Sequence, residues 1–273
     1  MVDFKVERVS DSVTRIYGIC TELMYLIEGD RCAALLDTGV GFGSLRKVVD
    51  TLTDKPILVL LSHGHTDHAM GAGEFDHVYM NHKDDDVYRA HGEEDFRWDG
   101  VKLSEEYKKL EREDYIPTVP VEKFTDMSGG DVFDLGGKTL RVYDCPGHTK
   151  GTVVFLLEEE RRLFLGDACN SNTFMYDEYS TTIAEYERSL QTLKEKVEGK
   201  FDVAYAFHGD GKLTDTIIDE VIDVCHDIMD GNTDDIPMTF RGTHGLIAKV
   251  IGDDRKRLDG KCGNIVYNKE RIL

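Results

Sequence analysis

Residues 57–68 read Ile57-Leu58-Val59-Leu60-Leu61-Ser62-His63-Gly64-His65-Thr66-Asp67-His68: an apolar run, then three imidazoles and a carboxylate within six positions. The apolar run reads as a buried strand, so the polar cluster falls where a strand ends and the chain turns. Extended backbone alternates its side chains with period two, which sends His63 and His65 to one side. A turn beginning at Asp67 swings Asp67 and His68 towards a neighbouring position, so one short segment can serve two metal ions. Imidazole is the commonest nitrogen ligand and carboxylate a hard oxygen donor, a mixture that suits zinc, iron or manganese. A lone loop histidine is ordinarily just solvated or hydrogen-bonded. Four potential ligands in six residues behind a buried strand reverse that expectation.

The cluster needs partners, and the same device recurs outward along the chain. His148 lies in Pro146-Gly147-His148-Thr149, after the alternating stretch Leu140-Arg141-Val142-Tyr143. Asp167 follows Leu163-Phe164-Leu165-Gly166, and His208 follows Val203-Ala204-Tyr205-Ala206-Phe207. Asp37, in Leu35-Leu36-Asp37-Thr38-Gly39, repeats it once more. Each candidate follows a short apolar run and sits beside small residues that allow a sharp turn.

In this order (Asp, HxHxDH, His, Asp, His) the set resembles the metallo-β-lactamase superfamily, over the chain from about Asp37 to Gly211. The resemblance implies an α/β fold, the four-layer αβ/βα sandwich of that family. It also implies a role for each matching position. His63, His65 and His148 would hold one divalent metal ion; Asp67, His68 and His208 a second; Asp167 would bridge the two. Asp37 would order the metal-binding loop through hydrogen bonds. The expected cofactors are two divalent ions, zinc first, with iron or manganese as alternatives. Two such ions close together hold a shared water and lower its pKa from ~15.7 towards ~7, which makes hydrolysis by a metal-bridging hydroxide the expected reaction. Asp67 would also carry the proton to the leaving group.

Composition sets bounds. The 273 residues hold 53 acidic and 33 basic side chains, a formal charge of −20. That balance argues against nucleic acid and anionic membranes, whose phosphates need Lys and Arg, and leaves a small-molecule substrate as the expected partner. Acidic runs such as Asp84-Asp85-Asp86 and Glu158-Glu159-Glu160 read as solvated surface. Met1-Val2-Asp3-Phe4-Lys5 leads into no apolar stretch of a signal peptide, and no run approaches the ~18 residues of a membrane span. The six scattered cysteines read as reduced thiols, which points to a cytoplasmic protein, and Cys169 reads as a buried packing residue. The oligomeric state is open, a homodimer being compatible with it.

Alternation predicts strands at Phe4 to Val9, Val13 to Tyr17, Leu23 to Glu28 and Cys32 to Asp37, a helix at Gly43 to Thr53, and further strands at Ile57 and at Val78 to Met80. The charged segment 81–115 predicts two helices, around Asp84 to Ala90 and Leu103 to Asp114. Strands follow at Asp131 to Leu135, Thr139 to Tyr143, Thr152 to Leu157, Arg162 to Leu165 and Val203 to Phe207, with helices at Ile183 to Val197 and Leu213 to Met229. Motifs spread over both halves favour a single domain, residues 1–273, with 81–115 as a helical insertion or lid and 231–273 as a pocket-covering segment.

Substrate contacts are sought in those two segments and after Asp167. The insertion carries Trp98 beside Phe96 and Tyr88. The tail offers Arg241 and His244 in a Gly-punctuated, loop-like setting. Glyoxalase II-like relatives continue past the bridging Asp with Gly, Cys and Arg; here Ala168-Cys169-Asn170 follows, so no glutathione site is carried over. Acyl-homoserine lactonases place a Tyr where this chain has Asn170, which can donate to an oxyanion, and Tyr176 or Tyr179 are further candidates. The expectation is therefore a hydrolase of a small ester, lactone or thioester. Phosphodiester or phosphonate hydrolysis is the nearest alternative, then a mononuclear-iron oxidoreductase resembling persulfide dioxygenases. A non-catalytic binding protein fits least, because every ligand position is filled.

Overall fold

The computed structural model describes Val2 and residues 4–273; Met1 and Asp3, part of the N-terminal stretch read above, lie outside the described residues. By its internal contacts the chain divides into two compact units, Met1–Arg141 with Phe207–Gly209, and Val142–Ala206 with Asp210–Leu273.

The first unit is built on a seven-stranded sheet whose strands lie side by side in chain order. They are β1 (Val6–Arg8), β2 (Val13–Tyr17), β3 (Leu23–Glu28), β4 (Ala33–Leu36), β5 (Ile57–Leu60), β6 (Val78–Met80) and β7 (Thr125–Asp126). The first four pair antiparallel and the last four parallel. β4 and β5 are almost wholly buried, as continuous Ala/Leu and Ile/Leu/Val runs require in a parallel sheet covered on both faces. Their crossover is α1 (Leu45–Leu52), whose start is fixed by Ser44, its hydroxyl accepting from the Lys47 N–H. Strand β1 is shorter than predicted and fully exposed. A small hairpin of β8 (Val132–Asp134) on the start of β9 (Thr139–Asp144) completes this unit's strands.

Segment 81–115 departs from the sequence expectation. It forms α3 (Asp85–His91) where a helix was predicted, and α4 (Glu94–Val101) where none was. The predicted helix at Leu103 to Asp114 is instead two short 3-10 turns, Glu105–Lys109 and Arg112–Asp114. Charged residues with good helix propensity cannot hold a helix that has no apolar stripe to bury. Trp98, Tyr115 and Phe42 pack together with ring centroids 4.6–6.4 Å apart, and Tyr88 is buried.

In the second unit the sheet runs β14 (Lys212–Leu213), β13 (Val203–Ala206), β11 (Arg162–Gly166), β10 (Val153–Leu157), β9. Two helices pack together against its core, α5 (Ile183–Val197) and α6 (Ile217–Asp230). α5 buries Ile183, Tyr186, Leu190, Leu193 and Val197, one helical stripe, and opens with a reciprocal Thr182–Glu185 cap. The tail, read from sequence only as a covering segment, makes most of a four-stranded sheet: β12 (Thr173–Met175), β17 (Ile265–Tyr267), β16 (Thr243–Ile247) and β15 (Ile236–Phe240), in that order. Arg241 and Gly242 are the turn of the β15–β16 hairpin, with φ of +49° and +83°, the positive values a two-residue hairpin loop requires.

Among the described residues no helix is long and apolar enough to cross a membrane. All six cysteines are free, and Cys169 is buried in the core of the second unit, where burial pushes its thiol well above the ordinary range.

Candidate metal centre

In the first unit β5 delivers the chain to Ser62; the backbone bends at Ser62 and again at Gly64, and His65, itself extended, opens the one-turn helix α2 (Thr66–Ala69). Thr66 thus starts the turn that was expected at Asp67; the turn brings the His68 ring back against His63, centroids 4.1 Å apart, and sets Asp67 beside His208. The loop after β4 zips onto α2: the N–H and hydroxyl of Thr38 both donate to the His68 carbonyl, and the Met70 N–H donates to the Gly39 carbonyl.

Asp37 lies at the centre of this loop, buried and with a φ of +61°. Its Oδ1 accepts from the Ser62 N–H at 2.6 Å; its Oδ2 accepts from the Ser62 hydroxyl at 2.7 Å and from His68 Nδ1 at 2.6 Å. Burial pushes its carboxyl above the usual range, and the His68 and Ser62 bonds pull it back. His68 is thereby fixed with Nδ1 protonated and Nε2 presenting a lone pair. Ser62 Oγ stands 3.0 Å from His63 Nδ1, and since its own proton goes to Asp37 it accepts from His63, again leaving Nε2.

The presented atoms converge. His63 Nε2 and His65 Nδ1 are 3.1 Å apart, His68 Nε2 and His208 Nε2 are 3.2 Å apart, and Asp67 Oδ2 is 3.4 Å from His208 Nε2. Ligands at ~2.0–2.1 Å from a tetrahedral cation stand roughly 3.3–3.4 Å from one another, so the donor set fits a small divalent ion. Two groups that could hold one are complete in this unit, Asp37-His63-His68 and Asp67-His68-His208. His208 reaches them because Phe207–Gly209 returns to the first unit, where His208 bridges in antiparallel fashion to Glu22.

The second unit repeats the anchoring. His148 Nδ1 donates to the Phe174 carbonyl at 2.6 Å, and its Nε2 lies 3.8 Å from Asp167 Oδ2. That exceeds a hydrogen bond but falls within the ~4.2 Å span of two opposed ~2.1 Å bonds. The Ser180 hydroxyl donates to the His148 carbonyl, and Tyr186 closes on Gly147 so tightly that a Cβ there would meet its ring at 2.2 Å.

The substrate-side candidates after Asp167 and in the tail are all in this unit. Asn170 is buried, and its Oδ1 accepts from the Asn172 N–H at 2.8 Å, which orients the amide nitrogen away from its own turn. Tyr176 packs against Phe174 with the two rings tilted, and Phe174 in turn meets Phe240 of β15. Tyr179 sits in a turn closed by the Asp177 carboxylate. Arg241 is exposed at the hairpin tip, and His244 is exposed with Nδ1 2.9 Å from its cross-strand neighbour Thr239.

Three groups escaped the sequence reading. Ser62, next to the motif, has the visible signal of adjacency. Glu22 is a wholly buried carboxyl raised by burial and by the Asp67 charge; it accepts from the Cys20 and Val40 N–H groups. Asp84, read as solvated acid, is 1 % exposed and accepts from the Gly64 N–H. Its neighbours Asp85 and Asp86 do face solvent to increasing degrees.

Residues 17–208 match the family model described as metallo-beta-lactamase superfamily. The chain belongs to that superfamily. Among curated proteins, this superfamily member is 25% identical over 191 residues to the acyl-coenzyme A thioesterase MBLAC2 of Homo sapiens, covering 64% of this chain and 68% of that one. It is 26% identical over 212 residues to the atrochrysone carboxyl ACP thioesterase of Emericella nidulans, covering 75% and 58%. Among solved structures, the metallo-beta-lactamase from Pontibacter korlensis superposes with a TM-score of 0.58 at 16% identity, over 81% of this chain and 98% of that one. A superfamily protein from Sulfolobus tokodaii, ST1585, gives 0.52 at 21% over 76% and 80%. The expected metallo-β-lactamase fold, the family's αβ/βα sandwich, is therefore the fold of this chain, and this superfamily's centres take divalent metals.

Proposed function

We propose that this metallo-β-lactamase superfamily hydrolase is a binuclear enzyme that cleaves thioesters, within the wider class of small esters and lactones. The observation that carries the reading is the convergence of Asp67 Oδ2 and the Nε2 atoms of His68 and His208, with His68 held from behind by Asp37. The relatives named as acyl-coenzyme A and ACP thioesterases point to the substrate class. In this reading the two units act as one catalytic domain. His63, His65 and His148 would hold one cation and Asp67, His68 and His208 the other, with Asp167 as a shared donor; zinc is the first candidate, iron or manganese the alternatives. Bound there, two divalent ions supply Lewis acidity and an ionised water near neutral pH.

The chain's own residues then do the following. Asp67, whose side chain is 31% exposed, takes the proton released as water adds to the carbonyl and passes it to the leaving sulfur. Asn170 offers its amide N–H to the carbonyl oxygen. Tyr176, Arg241 and His244 guide the remainder of the substrate, with segments 81–115 and 231–273 covering it. The free cysteines accord with a reducing, cytoplasmic setting.

The test combines elemental analysis of chelator-free protein with release of free thiol from acyl thioesters. About two zinc per chain and chelator-sensitive thiol release support the reading. About one iron with oxygen consumption would replace it with the oxidoreductase, and turnover of phosphodiesters alone would replace the substrate class.

A further inference from the structure

The first turn of the 81–115 segment meets the His63-Gly64-His65 loop at two independent points. Asp84 occupies the N-cap position of α3 but makes no capping bond there. Its buried carboxylate turns away from its own helix, and Oδ2 accepts from the Gly64 N–H at 2.9 Å. That N–H belongs to the residue between two of the metal-ligand candidates. The approach is close enough to demand glycine: a Cβ on Gly64 would stand 2.9 Å from the Asp84 carbonyl oxygen and 2.9 Å from Val87 Cγ1. Seven residues on, at the other end of α3, the His91 ring lies against the His65 ring, centroids 4.7 Å apart and planes 17° from parallel. Phe96, from α4, stacks on His91 in turn, at 4.3 Å and 27°.

We propose that α3 is a positioning element for the His63–His65 pair: Asp84 fixes the peptide between them, and the His91–Phe96 stack fixes the plane of His65. His65 turns its Nδ1 to His63 Nε2, so the plane of its ring decides how the two present their nitrogens. A charge-assisted bond from a buried carboxylate sets the rotation of the Gly64 peptide and hence the direction in which both flanking side chains leave the backbone. The stacked ring limits rotation of the imidazole about its last torsion, which is otherwise broad. Asp84 and His91 are positioning residues: neither touches the reacting atoms, and both act through the pair. Segment 81–115 is thus a built part of the centre at its first helix, whatever its remainder does over a substrate.

This inference rests on the proposed metal centre, and cobalt(II) titration of the apoprotein separates the two. Stepwise affinities come from competition with a chromophoric chelator, and the d–d spectrum reports ligand geometry. In the wild type two equivalents should bind. Asp84→Ala and His91→Ala should each weaken one step by ~10–100-fold, the range for a lost outer partner, and alter the spectrum of that step, leaving the other step unchanged. Asp84→Asn, which keeps an acceptor, and His91→Phe, which keeps a ring, should restore most of the affinity. Unchanged stepwise affinities and spectra in folded Asp84→Ala and His91→Ala would overturn the inference while leaving the centre intact. Failure of the wild type to bind cobalt or zinc would overturn the centre itself. Should Asp84→Ala not fold, by circular dichroism, the His91 pair decides by the same criteria.

Discussion

Asp37 holds a backbone conformation that L side chains rarely adopt, with a φ of +61°, at a cost of order 1–2 kcal/mol. Three donors converge on its carboxylate, and they fix the residue there. Two substitutions separate backbone from carboxylate. Asp37→Gly accepts the φ and Asp37→Ala does not, yet both remove the acceptor of His68. Both should therefore lose ~10–100-fold in metal affinity, measured by chelator competition, with Ala the less stable of the two. Asp67→Asn should cut kcat by ~10²–10⁴ with the fold intact by circular dichroism, the range for losing a proton-transfer group. The loss should be steeper for oxygen esters than for matched thioesters, because a thiolate, with a thiol pKa of ~8.5, leaves without much help from a proton. Equal losses on both would argue that Asp67 acts as a ligand alone. At this scale the sequence is most legible where candidate ligands crowd together. His63 to His68 and Asp37 could be read because each closes an apolar run. Asp84 could not, because a carboxylate in an Asp-Asp-Asp run looks the same whether it faces water or a backbone N–H.

Elements show a similar division. Strands β2, β3 and β6 and helix α5 fall on their predicted bounds, because their burial patterns are regular. Helix α4 was missed because its eight residues, Glu94 to Val101, include Gly100 and bury only Arg97 and Val101. Arg97 explains how so polar a helix is held. It is 1 % exposed, and its guanidinium donates to the carbonyls of Val40, Gly41 and Ile116 and to the Thr118 hydroxyl, with its carbon 4.2 Å from the Tyr115 ring centre. One buried cation thus fastens α4 both to the loop that follows Asp37 and to the end of the insertion. Arg97→Met fills the space but strands those acceptors, and should destabilise the protein by about 3–5 kcal/mol, read as a lowered denaturation midpoint. A change below 1 kcal/mol would mean that the apolar contacts of Trp98 and Tyr115 hold the segment without it. The small sheet of β12, β15, β16 and β17 was also missed. Its strands are short, and Arg241-Gly242 reads as open loop until both strands of the hairpin are known.

At the scale of the whole molecule, metal and pH set stability. Chelation should lower Tm, and zinc should restore it by an amount that grows with the logarithm of free metal, since only the folded chain brings the ligands together. Asp235 gives an acid limb. The Lys269 ammonium, then the Tyr267 and Thr233 hydroxyls, hold its carboxyl down at about 2, against 3.8 unperturbed. Its contribution is whole above pH ~4 and is lost as pH falls towards 2, where the unfolded chain takes up the proton first. The difference in stability between wild type and Asp235→Asn should accordingly shrink over that interval in acid titrations. The net charge of −20 could be read at once; which of the acids are buried could not.

The return of Phe207–Gly209 to the first unit has a consequence for biosynthesis. His68 meets His208 across 140 positions of chain, so a ribosome that has finished the whole HxHxDH motif still has half the protein to make before that pair can exist. With His208 as a ligand, as proposed above, any cation taken up by the emerging chain until then would sit on an incomplete set, open to exchange. Loading should therefore be governed by the last ligand to emerge: nascent chains stalled before residue 207 should give up zinc to a chelator far faster than chains released after it.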